Sequence, residues 1–310
     1  MRVGFVGIGT MGRHMAANLQ AGGHDLVVHD VRPEAAADRV AAGATWAATP
    51  AEVAAASEVV FTSLPGPVEV EAVASGPDGL LEGAGAGTAW FDLSTNSPTV
   101  VRRLHELAAA HGVELLDAPV SGGPRGAESG KLAVWVGGDR PTFDAHLPVL
   151  RAFSDEPCHV GPIGAGSAAK LVHNCAGYVL QTALAEVLTL GVKAGVDPVE
   201  LWQAVRHGAI GRRRTFDGLA DQFLVNRFDP PSFALRLAHK DVSLATELGR
   251  ELGVPMRLAN LTREEMTEAL GRGWGQRDSR VAMLLQEERA GVEIEAAREA
   301  LRAVFEEDPR

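Results

Sequence analysis

Two residues in the string GSAAKLVHN, Lys170 and Asn174, stand four positions apart, a spacing that places both on one face of a helix. A lysine near the start of an otherwise apolar helix is costly to desolvate, and burial lowers the pKa of an amine toward neutrality. An amine so placed can take the proton of a hydroxyl as hydride leaves the same carbon, and can return it in the reverse direction. Asn174 can orient that hydroxyl or hold the lysine. Taken alone, such a lysine is more often a surface charge, so the reading depends on its neighbours.

A hydride needs an acceptor, and residues 7–12 read GIGTMG directly after a strand pattern and directly before a helix. Gly7 permits the tight turn, Gly9 lets the backbone approach a pyrophosphate, and Gly12 lets helix and strand pack closely. Thr10 and Met11, inside the same loop, are candidate cofactor contacts beside them. The helix start adds free N–H groups and partial positive charge. The next strand, LVVHD, ends in Asp30, 18 positions beyond Gly12. A carboxylate there accepts from the ribose hydroxyls of NAD and repels the extra phosphate of NADP. Arg32, two residues on, can pair with a phosphate and leaves NADP open, with NAD favoured. The bland alternatives are a glycine-rich turn and a strand-end aspartate without ligand.

Two further strings, DLSTNSP (Asp92–Pro98) and DAPVSGGPRGAESG (Asp117–Gly130), each begin where a strand pattern ends. Ligands of open α/β sheets bind at that edge. Ser121, Gly122 and Gly123 offer a hydroxyl and unobstructed backbone N–H groups suited to a carboxylate. Two other dehydrogenase layouts are missing. The only tyrosine, Tyr178, is followed four positions later by Thr182 rather than lysine, and Cys158-His159 stands alone, without zinc spacing.

The elements that must position these residues follow from the pattern. Val3–Val6, Leu26–His29, Val59–Ser63, Trp90–Leu93, Glu114–Asp117 and Leu132–Val136 read as strands, with helical segments such as His14–Gln20, Pro33–Ala41 and Thr99–His111 between several of them. The alternation predicts an α/β fold: an N-terminal Rossmann domain, with a doubly wound parallel sheet covered on both faces. After the glycine-rich entry Gly161–Gly166 the pattern turns helical: a long helix over Ser167–Ala194, then Pro198–Arg206, Ala238–Leu252, Leu261–Gly271 and Ile294–Phe305. The expected division is a dinucleotide-binding domain over residues 1–163 and an all-α domain for substrate and dimerisation over 164–305.

Length supports two domains, since the chain has 310 residues. Aromatic residues make up 5%, which favours close helix packing over aromatic clustering. The formal net charge of −11 argues against nucleic acid or an anionic membrane as partner. Two cysteines give no disulfide framework. No apolar run reaches the roughly 18 residues of a membrane span. MRVGFVGIG passes straight into a strand pattern without room for a signal peptide, so a cytoplasmic location is expected.

GIGTMG, DLSTNSP, DAPVSGG, GSAAKLVHN and the later HKDVSLA (His239–Ala245), in that order, resemble the successive signatures of the β-hydroxyacid dehydrogenase family, the family of 3-hydroxyisobutyrate dehydrogenase, over residues 1 to about 290. The resemblance implies that Lys170 is the catalytic acid/base and Asn174 its substrate-binding companion. It implies that Ser121, Gly122 and Gly123 hold the substrate carboxylate, that Thr95 lies beside the nicotinamide ribose, and that Leu64 and Pro65 flank the cofactor. Lys240 would reach toward the cofactor, with Asp241 and Phe233 closing the substrate pocket. It also implies a small anionic hydroxy acid or aldehyde acid as substrate, no metal, and a homodimer or homotetramer.

Three alternatives are weaker. Oxidative decarboxylation in the manner of 6-phosphogluconate dehydrogenase would call for a longer helical domain. Imine reductases of this family usually replace the lysine. A non-catalytic nucleotide-binding regulator should have lost Lys170 or Asn174. The Arg212–Arg214 run reads as solvated surface or an anion contact, Trp274 as lid or packing, and His173 and His239 as structural.

Overall fold

The computed structural model describes residues 1–193, 195–208, 214–251, 253 and 256–307. Two expected helix ends, Ala194 and Leu252, lie outside the described residues, as do Arg212, Arg213 and the Arg214 side chain. The chain divides into two compact units, Met1–Val172 and His173–Arg310.

The first unit is built on one sheet. Its strands are β1 (Arg2–Val6), β2 (Asp25–His29), β3 (Thr45–Trp46), β4 (Val59–Thr62), β5 (Ala89–Asp92), β6 (Glu114–Asp117), β7 (Val120–Ser121), β8 (Leu132–Gly137) and β9 (Ser154–Gly161). Six of them run parallel in the order β3-β2-β1-β4-β5-β6. These six make the expected doubly wound parallel sheet, and the remainder extends it with mixed directions: β8 runs antiparallel to β6 and β7, and parallel to β9. The missed strands have physical reasons. β3 and β7 hold two residues each, and β9 carries Pro157 and exposed polar residues, a composition tolerated at a sheet edge.

Strand alternation sends side chains to two cores. Helices α1 (Gly12–Ala21), α2 (Ala37–Ala41), α3 (Pro50–Ala55), α4 (Pro67–Ser75), α5 (Leu80–Gly83), α6 (Pro98–Ala110), α7 (Gly123–Glu128) and α8 (Arg140–Leu150) complete the unit. Met15, Ala16 and Leu19 of α1 and Phe143 of α8 pack with Val3, Phe5 and Val28 on one face. Val53 of α3, Val70 of α4 and Leu104 of α6 pack with Val6, Val60 and Trp90 on the other. The low aromatic content misleads here. Phe5, Phe61 and Phe91 occupy one register across β1, β4 and β5, with centroids 6.2 and 5.5 Å apart, and Phe153 meets Phe61 edge-on at 5.6 Å.

Strand order reverses between β1 and β4, so their carboxyl ends splay the following loops apart. GIGTMG follows β1 and SLPGP follows β4.

The long helix α9 (Ala165–Lys193) starts in the first unit and continues into the second. The second unit adds α10 (Pro198–His207), α11 (Leu235–Glu251), α12 (Arg257–Gly271), α13 (Leu284–Ala290) and α14 (Arg298–Glu307), joined by short 3₁₀ turns. Its described residues hold no strand beyond an isolated Ala234–Asp278 bridge. Arg206, 1% exposed, sits against the Trp202 and Phe305 rings and pairs with Asp217 at 2.8 Å, holding α10, α14 and the 3₁₀ turn together. None of the described helices is long and apolar enough to cross a membrane.

Candidate active site

The glycine turn separates three demands. Gly7 has φ +95°, a left-handed conformation that glycine tolerates best. A Cβ on Gly12 would collide with the Gly7 carbonyl. A Cβ on Gly9 would meet nothing within 4 Å. The fold therefore needs glycine at positions 7 and 12, while the space over Gly9 is open and has room for a dinucleotide pyrophosphate. Thr10 is exposed and Met11 half-buried beside it.

Asp30, at the end of β2, is buried. Its Oδ2 accepts from the Ile8 N–H at 2.8 Å and its Oδ1 from the Arg32 N–H at 2.9 Å, which ties β2 to the glycine turn. Each oxygen keeps a further lone pair for a ribose hydroxyl. The exposed Arg32 guanidinium stands 3.7 Å from Oδ1.

Beyond β5, DLSTNSP is organised around a buried carboxylate. Asp92 Oδ1 accepts from Thr62 Oγ1 at 2.8 Å and from the Ser94 N–H at 3.2 Å, and Oδ2 accepts from Asn96 Nδ2 at 3.0 Å. Trp90 Nε1 donates to Thr62 Oγ1 at 3.0 Å, and the Leu64 N–H donates to Ser94 Oγ at 2.9 Å. Burial pushes the Asp92 carboxyl above its ordinary pKa, against the pull of these bonds. The network fixes the loops carrying Leu64 and Thr95, both half-buried, with Pro65 exposed beside them.

Beyond β6 a second buried carboxylate, Asp117, accepts from the N–H groups of Gly164 at 2.7 Å and Ser167 at 2.6 Å, at the start of α9. Lys170 follows three residues later and is 9% exposed. Ser121 is half-buried, and Gly122 and Gly123 are exposed with φ of +133° and +61° at the entry to α7.

In the second unit, Asn174 Nδ2 donates to Asp241 Oδ2 at 2.6 Å, and Lys240 Nζ lies 3.1 Å from Asp241 Oδ1. Tyr178, one turn beyond Asn174, stacks on Phe233 with centroids 6.3 Å apart. Burial, then the charges of Asp241 and Asp278, pushes its phenol well above the ordinary range, so it stays neutral. Asp278 accepts from the N–H groups of Ser232 at 2.9 Å and Phe233 at 3.3 Å, fixing the Phe233 loop. Arg272 lies over the Trp274 ring, and His239 faces Thr267 Oγ1 at 2.9 Å. His173 is exposed.

Asp92, Asn96, Asp117 and Asp278 are anchors that the motifs do not identify as such. Asp92, Asn96 and Asp117 stand within DLSTNSP and DAPVSGGPRGAESG. Their signal was a polar residue where a strand or turn enters the interior, which has to be hydrogen-bonded there. Among the described residues no group of three or more His, Cys, Asp or Glu is placed to hold a metal ion.

A doubly wound sheet with a glycine turn at its switch point, an acidic residue directly after β2 and a helical second unit define a dinucleotide-dependent dehydrogenase. Residues 2–164 match the family model for the NAD-binding domain of 6-phosphogluconate dehydrogenase, and residues 164–285 match that for NAD-binding of NADP-dependent 3-hydroxyisobutyrate dehydrogenase. The chain is 36% identical to 2-(hydroxymethyl)glutarate dehydrogenase of Eubacterium barkeri, across 95% of this chain and 97% of that protein. It is 37% identical to 3-hydroxyisobutyrate dehydrogenase of Pseudomonas aeruginosa, across 78% and 83%. A solved structure of Mycobacterium tuberculosis 3-hydroxyisobutyrate dehydrogenase with L-serine superposes with a TM-score of 0.83 at 30% identity, covering 92% of this chain and 98% of that one. The chain belongs to the β-hydroxyacid dehydrogenase family, as an NAD(P)-dependent oxidoreductase of CH–OH groups.

Proposed function

We propose that this protein interconverts a small 3-hydroxy acid and its semialdehyde, with Lys170 as general acid/base and NAD as the favoured cofactor. The observation that carries the reading is the burial of Lys170, 9% exposed, on a helix whose start is held at the sheet edge. A solvated surface charge would not be placed there, because burying an amine costs several kcal/mol or shifts its protonation. The cofactor, when bound, supplies the hydride acceptor at C4 of its nicotinamide. Ser121 and the N–H groups of Gly122 and Gly123 hold the substrate carboxylate, and Asn174 orients the hydroxyl. Lys170 Nζ takes the hydroxyl proton as the C–H hydride departs, and returns it in reduction. Phe233 and Asp241 are the further substrate contacts in this reading, and Thr95, Leu64, Pro65 and Lys240 the further cofactor contacts. A homodimer or homotetramer in the cytoplasm belongs to the same reading.

The substrate names attached to the relatives narrow the class. 3-Hydroxyisobutyrate, 2-(hydroxymethyl)glutarate and L-serine, the last named by an NAD-dependent L-serine dehydrogenase of Pseudomonas aeruginosa, all present a hydroxymethyl group on the carbon that bears the carboxylate. They differ in the third substituent, which is methyl, carboxyethyl or ammonium. The residues assigned above address only the shared part, which supports a 2-substituted 3-hydroxypropanoate.

The test is a panel of initial rates with NAD and NADP for wild type and Lys170→Ala. The substrates are those three acids with 4-hydroxybutyrate, 6-phosphogluconate and the matching semialdehydes. Lysine-dependent turnover of a 2-substituted 3-hydroxypropanoate is expected, with kcat about 100-fold lower or worse in the variant while NAD still binds. Turnover of 6-phosphogluconate instead, or turnover indifferent to the lysine, overturns the reading.

A further inference from the structure

Asp117 is wholly buried and ends β6. Its two oxygens are divided between two backbone donors, Oδ1 accepting from Gly164 and Oδ2 from Ser167. Those N–H groups belong to the start of α9, where the first donors of a helix have no partner within the helix. The first turn of α9 contains no acidic residue, so the Asp117 carboxyl is the acceptor that serves this helix start, although burial raises its pKa above the ordinary value.

The approach is close enough to dictate composition. A Cβ on Gly137, opposite Asp117 on β8, would come within 2.5 Å of Asp117 Oδ1 and 2.8 Å of the Gly166 nitrogen. A Cβ on Gly166 would collide with the Trp135 carbonyl and come within 2.5 Å of that of Asp117. Two glycines thus clear the space in which sheet edge and helix start meet, backbone against backbone.

The position of this joint matters for chemistry. Ser121 lies four residues beyond Asp117 along the chain, and Lys170 lies three beyond Ser167, about 4.5 Å further along the helix. One carboxylate therefore links the strand that leads into the substrate-anchoring loop to the turn that leads into the acid/base.

We propose that Asp117 is a positioning residue, whose carboxylate sets the first turn of α9, and with it Lys170, against the Ser121–Gly123 loop. The proposal rests on the acid/base reading of Lys170. Proton and hydride transfer tolerate little displacement: an error near 1 Å can cost about 100-fold in rate. Asn at position 117 offers one oxygen in place of two, so it can serve Gly164 or Ser167 but not both.

The experiment compares Asp117→Asn, Gly137→Ala and Lys170→Ala with wild type. Gly137→Ala retains the carboxylate but presses a methyl group upon it, which keeps the test open if the asparagine variant fails to fold. Active sites are counted by NADH titration, so a loss of folded protein does not register as a loss of rate. Expected for Asp117→Asn and Gly137→Ala is a kcat per site lowered about 10- to 100-fold, with the NADH Kd within about twofold. The deuterium isotope effect on kcat, with substrate labelled at the carbinol carbon, should rise as hydride transfer becomes more rate-limiting. In the Lys170→Ala background, Asp117→Asn should add little, because the group it positions is gone. A purely structural role predicts lowered Tm with kcat per site and isotope effect unchanged in both variants, and that result overturns the proposal. If Lys170→Ala itself retains wild-type kcat, the acid/base reading fails, a different outcome from failure at Asp117 alone.

Discussion

Asn174 Nδ2 donates to Asp241 Oδ2 across 2.6 Å, joining α9 to α11 through a carboxylate that is 1% exposed. A carboxylate at that depth requires partners, and Asp241 has this amide and the Lys240 ammonium at 3.1 Å. The bond fixes the amide plane of Asn174 and so directs its carbonyl oxygen and its second N–H. Asn174→Ala and Asp241→Ala should each raise the KM for the hydroxy acid about tenfold or more, and their effects should be non-additive by about 1 kcal/mol or more. Steady-state kinetics on the two single variants and the double variant check this. Strict additivity would mean that Asp241 does not orient Asn174.

Gly9 and Gly12 make a matched pair of predictions. Ala at position 9 meets no atom within 4 Å, so folding stability should change by less than about 1 kcal/mol. The added methyl group occupies the room assigned to the pyrophosphate, and the NAD Kd should rise about tenfold or more. Ala at position 12 would collide with the Gly7 carbonyl and should destabilise the fold by about 2 kcal/mol or more. Calorimetric Tm and fluorescence titration with NADH separate the two. Unchanged NADH binding in Gly9→Ala would show that no phosphate approaches there.

The proposed preference for NAD rests on Asp30. A carboxylate at that place would repel a 2′-phosphate and accept from ribose hydroxyls, so Asp30→Ala should weaken NAD more than NADP. The variant also loses the bond to the Ile8 N–H, which would weaken both cofactors through the glycine turn. The informative quantity is therefore the ratio of the two Kd values, expected to shift toward NADP by about tenfold. An unchanged ratio would remove Asp30 from cofactor discrimination and leave it as a brace of the turn.

The parts of this fold that were legible in sequence are those with a local signature. β1, the glycine turn and α1 were readable because each has its own residue requirement, and the parallel strands because buried strands are continuously apolar. The departures arise from partners remote in sequence. Phe5, Phe61 and Phe91 form a row only because strands 30 or more residues apart come into register. The antiparallel β8 shows no local sign of its direction, since a strand reads the same either way. Lys170 and Asn174 were found as a spacing on one helix, whereas Asp117 and Asp241 depend on chain folded back from 47 and 67 residues away. The buried aspartates stood inside recognisable strings, but spacing alone does not tell a ligand-binding carboxylate from one turned toward its own backbone.

Glu287 gives the stability a pH dependence of definite sign. It is 5% exposed, and its Oε1 accepts from the Ile294 N–H at 3.1 Å. Burial, reinforced by the charges of Glu293, Glu295 and Glu288, raises its pKa from 4.5 to about 7. The folded value lies above the unfolded one, so the folded state holds the proton more tightly. Its contribution is fully present below about pH 4.5 and is lost as pH rises through about 7. Glu287→Gln retains an oxygen for the Ile294 N–H but cannot ionise. The variant should therefore match wild type near pH 5 and exceed it near pH 8 by on the order of 1–2 kcal/mol. Tm measured across that interval by circular dichroism is the check. Parallel pH curves for the two proteins would mean that Glu287 ionises without cost in the folded state, and that its burial among acidic neighbours is relieved by solvent.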